Sequence, residues 1–377
     1  MRALRSQDVD ARILSTDDDG NSRLQVPLYR WTAYEELPMC FVRRVAARQH
    51  TLAGFTFAPG LIRVLWREIR DFDLVHVHTV FSFPAIAAML VARIRRRPYA
   101  VRPMGHLTAW SLTIRRFIKH LQLRLITRRY LNAAAFLHAT SAAERRDALA
   151  IGLRCPIKVI PLGVTLPKPM EDAGRKLRER LSINEGKTVA LFLSRVHEKK
   201  GLEFLLQALT DPDAADVELV ICGDGEPSYV TMLHRLVEKA GLTKRVHWLG
   251  FLRAPEKWKV AQGCDFFVLP SYSENFGIAV VEALACGLFA IVSPEVAIAG
   301  DISQPGIGCT VPRDSDALAR AISNCIRSER FDTDSRSLRR AFVEKRFSWT
   351  ATANQLIAAY DEALGGKKPA AELVSGT

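Results

Sequence analysis

The feature that most constrains this chain is a regular alternation of short apolar runs and helical patterns between residues 188 and 327. Apolar runs at 189–193, 217–222, 246–249, 266–270, 290–293 and 309–312 have the length and unbroken hydrophobicity of strands buried on both faces. Helical periodicity fills the gaps, at 202–209, 229–240, 256–262, 278–286 and 316–327. Such alternation closes as a parallel sheet covered by helices, because each parallel connection must cross back over the sheet. The first half repeats the pattern less regularly, with strands expected at 11–15, 74–78, 99–102, 136–140 and 158–162. Helices are expected there at 61–70, 85–95, 114–129 and 142–150. A charged, proline-containing stretch at 165–187 reads as a linker. The organisation expected is therefore α/β, with two doubly wound domains at 1–164 and 188–349. A helix at 350–365 is long enough to fold back on either domain, and 366–377 reads as a disordered tail. At 377 residues the chain exceeds what one core usually supports, which agrees with two domains.

Charge separates the two halves. Residues 1–164 hold 26 Lys and Arg against 12 Asp and Glu, a net of +14, whereas the remainder holds 27 against 28, a net of −1. Nearly all the surplus is arginine, which either marks an anionic partner or reflects genome composition. Seven scattered cysteines without a C-x-x-C pair argue against a disulfide framework and a structural zinc site, and for a reducing cytoplasm. No apolar stretch approaches the roughly 20 residues a spanning helix needs, and the first residues lack the apolar core of a leader.

Two carboxylates stand out. Residues 271–287 read SYSENFGIAVVEALACG, with Glu274 in the loop after the run 266–270 and Glu282 inside the following helix. Open α/β sheets bind ligands at the carboxyl ends of their strands. The pair can hold sugar hydroxyls there, while the amides of Asn275, Phe276 and Gly277 meet an anion. An amphipathic helix with two solvated glutamates is the other reading. After the run 189–193, SRVHEKKGL places Arg195 and Lys200 just before Gly201 and a helix. Helix-end amides with fixed cations suit a diphosphate, although a charged surface loop would look the same. Gly223-Asp-Gly225 follows another strand and lacks the third glycine of a dinucleotide fingerprint.

Arg195-x4-Lys200-Gly201 and Glu274-x7-Glu282, flanking Gly223-Asp-Gly225, resemble the retaining family 4 glycosyltransferases of the GT-B fold. The likeness runs from about residue 10 to 365 and includes DLVHVH at 73–78 and RFSW at 346–349. It implies two Rossmann-like doubly wound domains facing a cleft. A nucleotide diphosphate sugar would be held mainly by the C-terminal domain, and a glycan or lipid-linked acceptor mainly by the N-terminal one. By this resemblance Arg195 and Lys200 neutralise the departing diphosphate, Glu282 holds the ribose and Glu274 the donor sugar. Gly223 and the 275–277 amides complete the donor site. The implied reaction is retaining hexosyl transfer in polysaccharide or cell-envelope synthesis, with no cofactor beyond the donor. Fixed cations aimed at the charge developing on the leaving group give the strongest stabilisation such a site can offer. The pairs Asp71/Asp73, Asp211/Asp213 and Asp332/Asp334 fit the D-x-D metal motif of the other main glycosyltransferase fold, but no metal is expected.

Two departures from the family pattern matter. Members usually begin with a strand and a glycine-rich loop, whereas MRALRSQDVDARILS reads as the end of a helix entering the second strand. Either the start is misassigned or the chain is truncated; a misplaced start is expected. The family histidine after the strand 99–102 falls on Met104, and His106 is the nearest replacement. Gly105 can let it reach the cleft, to bond donor or acceptor or to share a proton; otherwise it is a loop residue. His78 is a candidate on the acceptor side, and His76 and His78 are read as facing opposite sides of their strand. The departures leave open a degenerate homologue that binds nucleotide sugars or partner enzymes without turnover.

The segment 114–129, IRRFIKHLQLRLITRR, has an apolar stripe ringed by basic residues. It either packs on its own sheet or lies on an anionic membrane surface. A cytoplasmic protein, peripheral at the inner face of the membrane, is the expected setting. Nucleic acid is not an expected partner, since no aromatic-basic interleaving occurs.

Overall fold

The computed structural model describes residues 1–20, 22–45, 56–108, 111, 127–328 and 331–365. They fall into two units: Leu162–Ala351, and Met1–Pro161 together with the residues from Thr352 onward. Of the helix expected at 114–129, residues 114–126 lie outside the described residues, as does the tail from 366.

In the first unit β1 (Ile13–Thr16) leads into a small hairpin of β2 (Asp18–Asp19) and β3 (Ser22–Arg23). β4 (Trp31–Tyr34) and β5 (Leu37–Val42) form an antiparallel pair, and β5 pairs in parallel with β1. A second sheet holds β6 (Val75–His78), β7 (Tyr99–Arg102), β8 (Phe136–Ala139) and β9 (Ile157–Val159), all parallel and in that spatial order. The alternation of the first half is thus realised as two sheets. Its helices Phe83–Ile94 and Ala142–Ala150 begin where Ser82 and Ser141 accept hydrogen bonds from the N–H groups of Ala85 and Glu144.

Among the described residues β1 pairs only with β5 and β6 only with β7, which leaves each strand one edge without a ladder. A cavity of about 1040 Å³ runs along both strands, lined by all their residues and by Leu61, Val64, Leu65 and Phe81.

The helix Trp349–Ala363 supplies Leu356, Ala359 and Tyr360, which pack with Ala100, Phe136 and Ile160 of the first unit. The Tyr360 hydroxyl meets His76 Nδ1 at 2.7 Å.

The second unit is built on one parallel sheet of β10 (Thr188–Leu193), β11 (Val217–Cys222), β12 (Val246–Gly250), β13 (Phe266–Leu269), β14 (Phe289–Val292) and β15 (Gly308–Thr310). Their spatial order is β12-β11-β10-β13-β14-β15. Winding starts at β10, runs outward to β12, then returns to β13 and continues the other way, so the direction reverses between β10 and β13. Helices on both faces bury Val189–Phe192 and the whole of β13 almost completely. Each such large apolar side chain contributes about 1.5–3 kcal/mol. The stretch 165–187, expected as a linker, instead contains the helix Ala173–Leu181. Its Leu177, with Ile183, joins the second core, and Arg178 pairs with Asp265 at 2.8 Å.

Two of the acidic pairs named above serve local structure. Asp211 accepts from the Asp213 N–H, and Asp332 caps the helix Thr333–Phe347 through the Ser335 N–H. Among the described residues no group of three or more His, Cys, Asp or Glu is placed to hold a metal ion, and no helix is long and apolar enough to cross a membrane. All seven cysteines are free thiols.

Candidate functional site

The loops that leave β10 and β13 lie at the reversal point of the second sheet, where open α/β sheets bind their ligands. Backbone contacts bring them together. The loop after β10 passes so close to Gly223 that a Cβ there would sit 1.9 Å from the Ser194 carbonyl oxygen. Gly201, at φ +64°, starts the helix Leu202–Ala208 against the end of β13, where a Cβ would meet the Pro270 oxygen at 2.2 Å. The Lys199 carbonyl then accepts from the Tyr272 N–H (2.8 Å) and the Ser271 hydroxyl (2.9 Å).

This stitching sets Lys200 Nζ in an ion pair with Glu274 Oε2, both largely buried. Glu274 is held from behind by its own backbone: its N–H donates to Glu295 O (3.1 Å) and its carbonyl accepts from Ala297 N–H (3.0 Å). Arg195 is exposed on the same β10 loop. Burial pushes the Lys199 ammonium down from its ordinary pKa, the charges of Lys200 and Arg195 push it further, and Glu274 opposes both. Three cations and one carboxylate therefore share one field.

Asn275 Oδ1 is buried without a hydrogen-bond partner among the described residues, a costly state for a polar atom unless a ligand supplies a donor. The Phe276 side chain is in the core, edge-on to Phe347 at 6.1 Å, so only its backbone is available to a ligand. Gly277 opens the helix Ile278–Ala285, whose Glu282 accepts from Lys257 Nζ at 2.8 Å. Sequence reasoning missed Lys257 and Lys199. Lys257 lies on another helix, Glu256–Gly263, with no motif to mark it. Lys199 directly precedes Lys200, and the motif spacing points to Lys200 alone.

The other candidates lie in the first unit. His106 follows a turn in which Met104 (φ 55°) and Gly105 (φ 75°) are both left-handed. The Gly105 N–H donates to Glu144 Oε1 (2.8 Å), and Glu144 Oε2 accepts from the N–H and hydroxyl of Thr140 (2.7 and 2.9 Å). The buried Glu144 thus anchors this turn, and the His106 ring stacks on Phe81 at 6.1 Å.

His76 and His78 do not face opposite sides. Their rings stack at 4.9 Å, because residues two apart on a strand share a face. His78 and His106 both line the cavity. Enclosure by its walls, with Arg102 and the amino terminus nearby, brings the His78 pKa down to about 4. Burial holds the His138 pKa at about 4, against the bond its Nε2 makes to Ile160 O (2.8 Å), and pushes His76 well below the ordinary range.

The fold is that of the GT-B glycosyltransferases: Anabaena HepE in complex with UDP superposes with a TM-score of 0.73 at 23% identity, covering 93% of this chain and 100% of that one. The chain belongs to the group 1 glycosyl transferases, whose description matches residues 174–349, while that of a glycosyl transferase 4-like domain matches residues 1–163.

Two relatives align over most of the chain. A phosphatidyl-myo-inositol mannosyltransferase of Mycobacterium leprae is 27% identical over 95% of this chain and 89% of its own. A GDP-mannose:cellobiosyl-diphosphopolyprenol alpha-mannosyltransferase of Xanthomonas oryzae pv. oryzae is 27% identical over 90% and 85%. The D-inositol 3-phosphate glycosyltransferase of Segniliparus rotundus is 29% identical over 56% of this chain; of that relative and others like it the chain spans about half the length.

Proposed function

We propose that this protein is a retaining hexosyltransferase that moves a sugar from a nucleotide diphosphate donor to a hydroxyl of a glycan or lipid-linked acceptor without a metal ion. The observation that carries this reading is the Lys200–Glu274 pair at the reversal point of the second sheet, with Arg195 and Lys199 in its field. In the reaction the bond from the anomeric carbon to the diphosphate oxygen breaks, and its electron pair stays on the diphosphate. Arg195, Lys199 and Lys200 would stabilise that charge in place of a divalent cation. Glu274 and the unpartnered Asn275 Oδ1 would accept hydrogen bonds from the sugar hydroxyls, and Glu282 from the ribose. The acceptor oxygen would bond to the anomeric carbon on the face the diphosphate leaves, its proton passing to a phosphate oxygen.

The solved relatives with UDP and UDP-glucose support a nucleotide diphosphate hexose as donor. The diphosphopolyprenol and phosphatidylinositol named for the two long relatives support a lipid-linked acceptor and a peripheral position on the cytoplasmic side of a membrane. His106, on its anchored turn, would serve the acceptor side together with His78, with which it lines the cavity of the first unit. Incubation with a panel of UDP- and GDP-hexoses, with and without a chelator, tests the reading. Release of nucleoside diphosphate that survives chelation supports it; no release from any donor sinks the enzyme reading, and loss on chelation sinks metal independence.

A further inference from the structure

Part of the first unit's surplus charge is gathered on one described surface. The helix Gly60–Glu68 buries Leu61, Val64 and Leu65 and turns Ile62, Arg63, Trp66 and Arg67 outward. Ile62 and Trp66 lie four apart on one helix face and are 37% and 45% exposed. The end of helix Phe83–Ile94 lies beside Trp66. The Arg95 guanidinium sits over the Trp66 ring, 4.7 Å from its centroid, and Arg97 donates to the Arg70 carbonyl at 2.6 Å. Ile94 is 54% exposed. Residues 63–70 and 93–97 contain seven arginines and one acid, Glu68, which is engaged by Trp31 Nε1 and Arg67.

A lone exposed tryptophan or isoleucine needs no explanation. Three of them on two adjoining helices within a field of arginines do. Tryptophan favours the headgroup layer of a bilayer, where its ring is half apolar and half wet, and guanidinium forks fit phosphate oxygens. Arg95 already covers one face of Trp66, which leaves a poor platform for stacking a nucleic-acid base. We propose that the ridge of Ile62, Trp66 and Ile94 with its arginines seats the first unit on an anionic lipid surface. This deepens, and rests on, the reading of a transferase that meets a lipid-linked acceptor.

The test is sedimentation of the full chain with vesicles of phosphatidylcholine alone or with about 30% phosphatidylglycerol. The protein should pellet with the anionic vesicles only, and at least tenfold less in about 0.5 M NaCl. Trp66→Ser with Ile94→Ser, and separately Arg63→Gln with Arg95→Gln and Arg96→Gln, should each weaken partition about tenfold while circular dichroism is unchanged. No pelleting, equal pelleting with neutral vesicles, or ridge variants that bind as wild type would each overturn the proposal; the last would move the contact to another segment. Donor hydrolysis without vesicles reads the transferase proposal separately. Vesicle binding without hydrolysis would leave the surface standing and remove the enzyme, and hydrolysis without binding would do the reverse.

Discussion

The two units follow one α/β grammar to different ends. The second sets six parallel strands in a single sheet whose winding reverses between β10 and β13, and its candidate residues hang from loops locked by backbone contacts at that point. The first divides its strands between two sheets, and its candidate histidines line a cavity along two strand edges. In the second unit geometry is imposed by close approach of main chain to main chain. In the first it rests on buried polar side chains: Glu144 under the His106 turn, and Tyr360 against His76.

The largest effect expected is on chemistry in the second unit. Lys200→Ala and Glu274→Ala should each cost about 10²- to 10³-fold in the rate of nucleoside diphosphate release, read well below each variant's melting point, which should itself fall because the remaining charge is left largely buried and unpaired. Near wild-type rates would detach the reversal point from the reaction.

Next comes Gly223→Ala, which forces a Cβ onto the Ser194 carbonyl and should destabilise the second unit by roughly 3 kcal/mol or more in urea melts. Hydrogen exchange should show the loss in the second unit only; uniform loss would mean the units are not independent in stability.

Acid should do the opposite. With the pKa values of His78 and His138 near 4 in the folded state, against about 6.5 unfolded, the unfolded chain binds more protons between those values. Their contribution to stability is complete above about pH 6.5 and disappears as pH falls toward 4; for the buried His138 it amounts to about 3 kcal/mol. Exchange protection should therefore drop first in residues 75–78 and 136–139 between pH 6.5 and 4. Equal sensitivity of the two units would break the comparison.

The smallest effect is that of Tyr360→Phe, which removes one hydrogen bond to His76 and should cost about 1 kcal/mol, read as a lower melting point at neutral pH.

The sheet of the second unit was legible because both its faces are covered, so its strands read as unbroken apolar runs. The hairpin of β4 and β5 was not. Its turn is Glu35-Glu36, both at positive φ, where the usual sequence signal is asparagine or glycine, and Pro38 interrupts its second strand. Arg2 steadies that turn through the Glu35 carbonyl and the Glu36 carboxylate, a contact no local pattern announces. The short charged helix Ala173–Leu181 was hidden by its composition, since only Ala173 and Leu177 are buried. At the site, motif spacing led to Lys200 and Glu274, which the fold pairs across 74 positions of chain. Lys257 could not be found that way, because its relation to Glu282 depends on how two helices lie on one sheet. The error over His76 and His78 was one of periodicity, and their stacked rings correct it.

The return of the last helix carries a consequence for how the chain is made. The first unit is discontinuous, and the second is inserted between Pro161 and Thr352. A ribosome emits every described strand of the first unit before the segment that covers Ala100, Phe136 and Ile160 exists. During synthesis of the intervening 190 residues that face stays bare, and the contiguous second unit can fold in the meantime. In a nascent chain stalled before residue 352, the earlier half should be the one that chaperones hold.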